Sequence, residues 1–156
     1  MILSLKKFTV SAPAKVPKER KRKTATDAVR PHGEVEPRLL DLVRLRVAQI
    51  HDCKWCALGH IKNLKAQGET PVRLRLLKDW RRASVFSDRE EAALNLAEAL
   101  THNPIGAVSD DVVHATFFYF NESEMLCLIL TILAANDWHY LKSFQNGNMT
   151  SRPPHE

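Results

Sequence analysis

Three residues able to do chemistry lie together in the stretch "HDCKWCALGH", residues 51–60. Cys53 and Cys56 are three positions apart, and His60 follows Cys56 by four. Two thiols at this spacing can form a redox disulfide, bind a metal or pack in a core. If the stretch is helical, His60 lies on the same face as Cys56, where it can take the proton of the thiol or hold the thiolate as an ion pair. The stretch is therefore a candidate redox or metal site.

The segment before the cysteines decides how they are presented. Apolar residues at helical spacing predict a helix over 37–50. The dipeptide "HD" interrupts this pattern, so that a second helix, over about 53–67, begins at Cys53. Unsatisfied N–H groups and the helix dipole at this position favour a thiolate. If the two helices pack antiparallel, Asp41 can orient His60, which completes a set of thiol, base and carboxylate.

The rest of the chain has the same helical character and no strand alternation. Capping patterns predict further helix starts, and the apolar segment after "NESE" predicts a last helix with little polar face. A helix that is apolar nearly all round is central in a fold or covered by another subunit. The predicted fold class is therefore all-α, an oligomeric bundle of about six helices, in which the later helices cover 70–80, 87–100, a segment from Ser109 and a segment from 121.

Composition and charge divide the chain into three parts. Its 156 residues, 44% of them hydrophobic and 26% charged, suit a single globular domain. Residues 1–30 carry nine Lys/Arg against two Asp/Glu, while residues 31–156 carry 14 against 16, so the basic character belongs to the N-terminus. We expect a flexible basic segment over 1–33, the helical domain over 34–146 and a flexible tail over 147–156.

These features weigh against several classes of function. The basic run contains no interleaved aromatic residues that could stack on bases, so nucleic-acid binding is not favoured. No apolar run is long enough for a transmembrane helix, and "MILSL" is too short for the core of a signal peptide. Three cysteines do not make a disulfide framework. In the cytoplasm, where we expect the protein, a close pair is metal-binding or redox-active.

A zinc site is the main alternative that the residues alone leave open. Cys53, Cys56, His60 and His51 would supply four ligands within ten residues. Structural zinc sites more often take their second ligand pair from a distant segment, and this sequence has no second C-x2-C and no H-x3-H. Other side chains carry weaker signals: Cys127, His139 and Trp138 are expected to pack, His102 and His114 to be solvated, and Trp55 either to line a pocket or to pack.

The stretch and its surroundings resemble the carboxymuconolactone decarboxylase family, in its alkylhydroperoxidase D-like branch. "LLDLVRLRVAQIHDCKWCALGHIKNLKAQGE" is similar to the family pattern "ELVKLRxSQINGCxYCxxxHxxxAxxxGE". Two later blocks match in order, "RLRLLKDWRRASVFSDREEAALNLAEALT" at 73–101 and "LAANDWHYL" at 133–141, the latter similar to "IAxINxWNRL". The resemblance covers about residues 36–141. It implies an all-helical fold assembled as a trimer or a hexamer.

The resemblance also implies a function. Family members that keep C-x2-C are thiol peroxidases or disulfide reductases, and the best-known type is reduced by a lipoyl-bearing protein and passes electrons to a peroxiredoxin. By position, Cys53 and Cys56 would be the redox pair, His60 the base of a proton relay, and Asp41 its carboxylate. We therefore expect an antioxidant enzyme that reduces hydroperoxides with a dithiol donor, and no cofactor or metal.

Three departures from the family pattern bear on this expectation. Asp41 stands where the family has Glu and is one methylene shorter, so direct contact with His60 is expected to need a water. His51-Asp52 replaces Asn-Gly, which predicts a reshaped turn and adds a titratable group able to tune the thiols. The first helix of the family has no counterpart, which leaves the substrate open. The alternatives are a zinc-stabilised or catalytically degenerate binding module, or a decarboxylase-like member acting on a small lactone acid.

Overall fold

All regular structure among the described residues is helical. The computed structural model of the protein describes residues 35–103 and 108–145, with side chains up to residue 142. The predicted basic segment over 1–33, the predicted tail over 147–156 and most of the "NPIG" loop lie outside the described residues. In chain order the helices are α1 (Pro37–Ile50), α2 (Lys54–Ala66), α3 (Pro71–Leu76), a 3-10 helix (Leu77–Arg82), α4 (Asp88–His102), α5 (Asp110–Tyr119) and α6 (Glu122–Gln145).

Helix α1 forms the centre of this arrangement. It packs against α2, α4 and α6, and most of its side chains between Leu39 and Ala48 are buried. Because three helices surround α1, its C-terminal end is fixed, and so is the short turn that leads from it into α2. The core side chains that are at most 1% exposed include Leu42 and Leu45 of α1 and, from the helices packed against it, Leu94, Leu128 and Ile132.

Most of the predicted helices are confirmed to within a residue or two. Helix α1 has the predicted bounds, and Cys53 is the N-cap of α2. Ser87 and Glu90 form the predicted capping box of α4, which continues to His102, slightly beyond the predicted end. Ser109 precedes α5 as predicted, but its side chain makes no capping hydrogen bond. The predicted all-α class is confirmed.

The predicted helix over 70–80 is wrong in its second half. Helix α3 ends at Leu76, and the chain continues as the 3-10 helix with a kink at Asp79 (φ −114°, ψ 33°). Leu77 and Trp80 lie on either side of this kink, and both side chains are buried in the core. The break from α-helical winding is therefore accompanied by core packing on both sides of Asp79.

Helix α6 has one buried apolar side and one exposed apolar side. Leu128 and Ile132 are fully buried, whereas Leu126 and Leu130 each expose 57% of their surface. The sequence predicted a helix that is central or covered by another subunit, and within one chain the second side has no cover. An oligomer that covers Leu126 and Leu130 stays a prediction. Neither α6 nor any other helix in the described part of the chain is long and apolar enough to cross a membrane.

A buried ionic cluster ties α1 and the 3-10 helix to α4. The carboxylate of Glu98, which is 8% exposed, accepts hydrogen bonds from Arg46 Nε (2.8 Å), from Trp80 Nε1 (2.8 Å) and from Arg81. Burial alone would raise the pKa of Glu98, but the hydrogen bonds from Trp80, Arg81 and Arg46 outweigh burial and hold that pKa below its usual range. The carboxylate is therefore charged at neutral pH and holds three elements together.

Removal of this carboxylate should destabilise the fold strongly. Glu98→Ala leaves a largely buried Arg46 without its partner and the Trp80 N–H without an acceptor, so we expect the free energy of unfolding to fall by about 3–5 kcal/mol. Urea unfolding at neutral pH, followed by circular dichroism, measures the loss. Glu122→Ala, which removes an exposed glutamate from the first turn of α6, should cost less than about 1 kcal/mol. Equal losses in the two variants would contradict the role of Glu98.

Candidate redox site

A tight turn between two helices places Cys53 at the start of α2. The N–H of Asp52 donates to the carbonyl of Gln49 (3.3 Å), and the N–H of Cys53 donates to the carbonyl of Ala48 (2.9 Å), a pair of bonds that ends many helices. The motif needs one left-handed residue, and Asp52 supplies it with φ +50°. The same motif ends α2 with Gly68 at φ +84°. Asp52 thus takes the conformation that glycine would take, in place of the reshaped turn expected from the sequence.

Cys53 and Cys56 form a disulfide across the first turn of α2. Their Cα atoms are 5.4 Å apart, and the Cys53 sulfur is also the N-cap acceptor for the Cys56 N–H (3.3 Å). Cys56 is buried, with 8% of its surface exposed, whereas Cys53 is partly exposed. Once the disulfide is reduced, the N–H groups of the first turn favour negative charge on Cys53.

Packing of α1 against α2 brings Asp41 to His60, as predicted. Asp41 Oδ1 lies 3.4 Å from His60 Nδ1, which is long for a hydrogen bond and agrees with a carboxylate one methylene shorter than Glu. Gln67 Nε2 donates to Asp41 Oδ2 (2.8 Å), and Arg44 lies 3.4 Å from Oδ1. The buried carboxylate is therefore held in place from two other sides. The role of this pair in proton transfer stays a prediction.

The surroundings of His60 keep its imidazole neutral at neutral pH. Burial, together with the positive charge of Arg44, lowers the pKa of His60 by more than the Asp41 carboxylate raises it. A neutral imidazole can accept a proton, whereas an imidazolium cannot. His60 follows Cys56 by one helical turn on the same face, which makes it a candidate base for the Cys56 thiol.

A second histidine, His139 of α6, lies against the disulfide. The ligand atoms of Cys53, Cys56 and His139 all lie within 4.8 Å of one another. The ring of His139 stacks on His51, with centroids 4.4 Å apart and planes inclined by 23°. The Nε2–H of His51 donates to Asn136 Oδ1 (2.8 Å), also on α6. The stacked histidines therefore join the turn before Cys53 to the last helix.

This environment lowers the basicity of His139. Burial, with repulsion from His51 and His60, lowers the pKa of His139 to about 4. His51 was expected to tune the thiols, and its contacts are with His139, Asn136 and Tyr140. The stack on His139, which lies against the sulfurs, gives His51 one route to the thiols, and its tuning role stays a prediction.

Sequence reasoning assigned His139 to packing and missed its contact with the cysteines. A signal was present, because buried positions of α6 recur at spacings of three and four and continue into two polar residues: Met125, Leu128, Ile132, Asn136 and His139. Polar side chains on a buried stripe need partners, which makes them candidates for a site. The pattern could not show which other element faces the stripe.

The remaining predicted candidates lie at or near the surface. Trp55 exposes 75% and Trp138 53% of its surface, so the packing expected of Trp138 is wrong within one chain, and Trp55 does not pack in the core. His102 and His114 are exposed, as predicted. Cys127 packs against the core but is only partly buried.

The group of possible metal ligands differs from the one predicted. Among the described residues, the three side chains whose ligand atoms could share one metal ion are Cys53, Cys56 and His139. The predicted zinc set combined the two cysteines with His60 and His51. The histidine that completes the group therefore comes from a distant segment, as in most zinc sites.

Comparison with known proteins identifies the family. Residues 19–99 match the sequence profile of the carboxymuconolactone decarboxylase family. YdfG, an uncharacterized protein of Bacillus subtilis (strain 168), is 32% identical over 108 residues, which cover 69% of this chain and 73% of YdfG. YnjA, an uncharacterized protein of Escherichia coli (strain K12), is 35% identical over 77 residues, which cover 48% of this chain and 41% of YnjA.

A solved structure shares the helical fold. It is the crystal structure of a protein of unknown function from Agrobacterium tumefaciens, with a provisional assignment as the antioxidant defence protein AhpD. It matches this chain with a TM-score of 0.66 and 25% identity, over 78% of this chain and 81% of that one. The fold is thus that of an AhpD-like helical bundle, with a cysteine pair at a helix start. The chain belongs to the carboxymuconolactone decarboxylase family.

The low pKa of His139 predicts how stability depends on pH. A histidine in the unfolded chain binds a proton near pH 6.5, whereas His139 in the fold does so near pH 4, so the unfolded state binds more protons between these values. The free energy of unfolding should therefore fall as the pH is lowered through this range. We expect the free energy of unfolding of His139→Gln to fall by roughly 2 kcal/mol less than that of the parent over this range, which is below the value of the full pKa difference because nearby solvent screens part of the effect.

Urea unfolding of the disulfide form between pH 7 and pH 4, with a chelator present, measures this effect. His114→Gln, which replaces an exposed histidine, is the matched control and should keep the pH dependence of the parent. If the free energy of unfolding of His139→Gln falls between pH 7 and pH 4 as much as that of the parent, buried His139 is not neutral in the fold as proposed.

Proposed function

We propose that the protein is a thiol-dependent oxidoreductase that reduces hydroperoxides by cycling Cys53 and Cys56 between dithiol and disulfide, in antioxidant defence. The observation that carries the proposal is the disulfide at the N-terminus of α2, one helical turn from His60. Membership of the family and the AhpD-like fold agree with it.

The cycle begins with a thiolate at Cys56. The neutral imidazole of His60 accepts the thiol proton, for which its lowered pKa leaves it available. Asp41, 3.4 Å from Nδ1, stabilises the imidazolium that forms, because opposite charges attract strongly in a partly buried site. The resulting thiolate is the nucleophile of the next step.

The thiolate then attacks an oxygen of the hydroperoxide. The O–O bond breaks, one oxygen stays on Cys56 as a sulfenic acid, and the other leaves with the proton of His60 as an alcohol or water. The Cys53 thiol attacks the sulfenic sulfur, so that the S–S bond forms and water is released. The two electrons that reduce the hydroperoxide therefore come from the two cysteines.

A dithiol donor closes the cycle by thiol–disulfide exchange. Cys53 is more exposed than Cys56, so the donor reaches Cys53, forms a mixed disulfide there and releases Cys56 as the thiolate beside His60. A second donor thiol then resolves the mixed disulfide. A lipoyl-bearing protein fits this role, with a peroxiredoxin as a further partner. We place the cycle in the cytoplasm, where thiols are kept reduced.

The exposed side of α6 supports a homo-oligomer, a trimer or a hexamer, as the active form. Leu126 and Leu130 are exposed on this side, and cover by another subunit would remove their apolar surface from water. A groove of about 470 Å³ next to them is also lined by Arg44, Cys127 and Thr131. It offers space for a side chain of a second copy.

Single-turnover kinetics on serine variants test the proposed cycle. Reduced protein is mixed with one equivalent of hydroperoxide, and sulfenic acid is trapped with dimedone and detected by mass spectrometry. We expect Cys56→Ser to form no sulfenic acid and Cys53→Ser to accumulate it, because the resolving thiol is then missing. If both variants consume hydroperoxide at the rate of the parent, the proposal is wrong.

The same assay tests the proton relay. His60→Gln should slow hydroperoxide consumption by roughly 100-fold, the lower range for loss of a general base, and Asp41→Asn should slow it less. His114→Gln is the control and should react like the parent. A parent-like rate in His60→Gln would exclude His60 as the base while leaving the cysteine cycle intact.

A further inference from the structure

His139 has no part in the proposed redox cycle, although it lies against both sulfurs. Its ligand atom and the two Sγ atoms lie within 4.8 Å of one another. The two cysteines belong to the start of α2, and the histidine comes from α6, so tertiary packing brings the three together. A soft pair of sulfurs next to an imidazole is a donor set of its own, separate from the His60–Asp41 pair.

We propose that the reduced protein binds a thiophilic divalent cation of the Zn²⁺ class through the Cys53 and Cys56 thiolates and the His139 imidazole. Two thiolates and one imidazole form a known zinc donor set, which leaves the fourth tetrahedral position to water. The metal and the disulfide are then alternative states of the same two sulfurs.

The distances fit this donor set with little movement. Zn–S bonds of about 2.3 Å and Zn–N bonds of about 2.0–2.1 Å in a tetrahedron put the ligand atoms roughly 3.5–3.8 Å apart. The separations in the fold lie within 4.8 Å. Opening of the disulfide lengthens the Sγ–Sγ distance toward the roughly 3.8 Å of a tetrahedral zinc site. The Cα–Cα distance of 5.4 Å need not change.

The surroundings also orient the histidine. His139 stacks on His51 at 4.4 Å, and the Nε2–H of His51 donates to Asn136 Oδ1 (2.8 Å). Cys53 is held as the N-cap of α2 by the N–H of Cys56. Fixed neighbours of this kind reduce the ordering that binding requires and raise metal affinity.

The exchange between the two states needs only the cation and, for the disulfide, the hydroperoxide of the proposed cycle. Binding releases one proton from each thiol and transfers no electrons. Oxidation of the bound thiolates by a hydroperoxide takes two electrons from the sulfurs and two protons (H⁺) from the buffered solution, and yields the disulfide, an alcohol, water and the free cation. Only this oxidative release rests on the proposed function, whereas the binding itself does not.

Anaerobic titration of the reduced full chain with Co²⁺ tests the site. We expect one equivalent to bind, with thiolate-to-cobalt charge-transfer absorption and the strong visible bands of a tetrahedral ion, and Zn²⁺ to displace it. The disulfide form should bind none. Cys53→Ser and Cys56→Ser should lose the charge-transfer signal, and His139→Gln should weaken binding at least roughly tenfold, since even a lost hydrogen-bond partner of a ligand costs this much.

His114→Gln, which replaces an exposed histidine, is the matched control, and it should bind Co²⁺ like the parent. A ¹¹³Cd NMR spectrum of the parent, which does not depend on the folding of any variant, should show a shift typical of two sulfurs and one nitrogen. Parent-like binding by His139→Gln, binding by the disulfide form, or a cadmium shift without nitrogen would overturn the proposal. None of these results would affect the sulfenic acid assay, which is run with a chelator.

Discussion

The left-handed turn at Asp52 is the constraint on which the site depends. It ends α1 and starts α2 within three residues, and so makes Cys53 the N-cap of α2. The disulfide partner and His60 then follow from helix geometry alone, since Cys56 lies three positions further on and His60 another turn along the same face. Asp52 bears a conformation that costs an L-residue about 1–2 kcal/mol, and the packing of α1 among three helices compensates for it.

Two histidines near the cysteine pair, His60 and His139, have different partners and suit different chemistry. His60 has a carboxylate at 3.4 Å, which favours the proton transfer that a peroxidase requires. His139 has a second histidine, His51, stacked on it at 4.4 Å, and burial together with repulsion from His51 and His60 lowers its tendency to take a proton. A neutral, oriented imidazole beside two sulfurs suits coordination better than proton transfer. One pair of cysteines can in this way serve a redox cycle and a metal site in turn.

Features set by short-range sequence patterns could be predicted, whereas contacts between helices distant in the chain could not. The bounds of α1, the N-cap position of Cys53 and the capping box of α4 all follow from short-range patterns, and each is confirmed. The approach of Asp41 to His60 could also be predicted, because it depends only on the packing of two helices joined by a short connection. The contact of His139 with the cysteines could not be predicted, because it depends on how α6 packs against the start of α2. Helical periodicity shows which positions of α6 are buried, but not which helix covers them. The 3-10 helix likewise depends on core contacts of Leu77 and Trp80 that propensity does not contain.

The central claim is that Cys53 and Cys56 act as a two-electron redox pair. The most direct measurement is the intact mass and the thiol content of the reduced, chelator-treated protein after addition of one hydroperoxide molecule per chain. The account predicts loss of two thiols, a mass lower by two hydrogens, a Cys53–Cys56 disulfide in the peptide map and one alcohol formed per hydroperoxide. Retention of both thiols with the hydroperoxide unconsumed would contradict it.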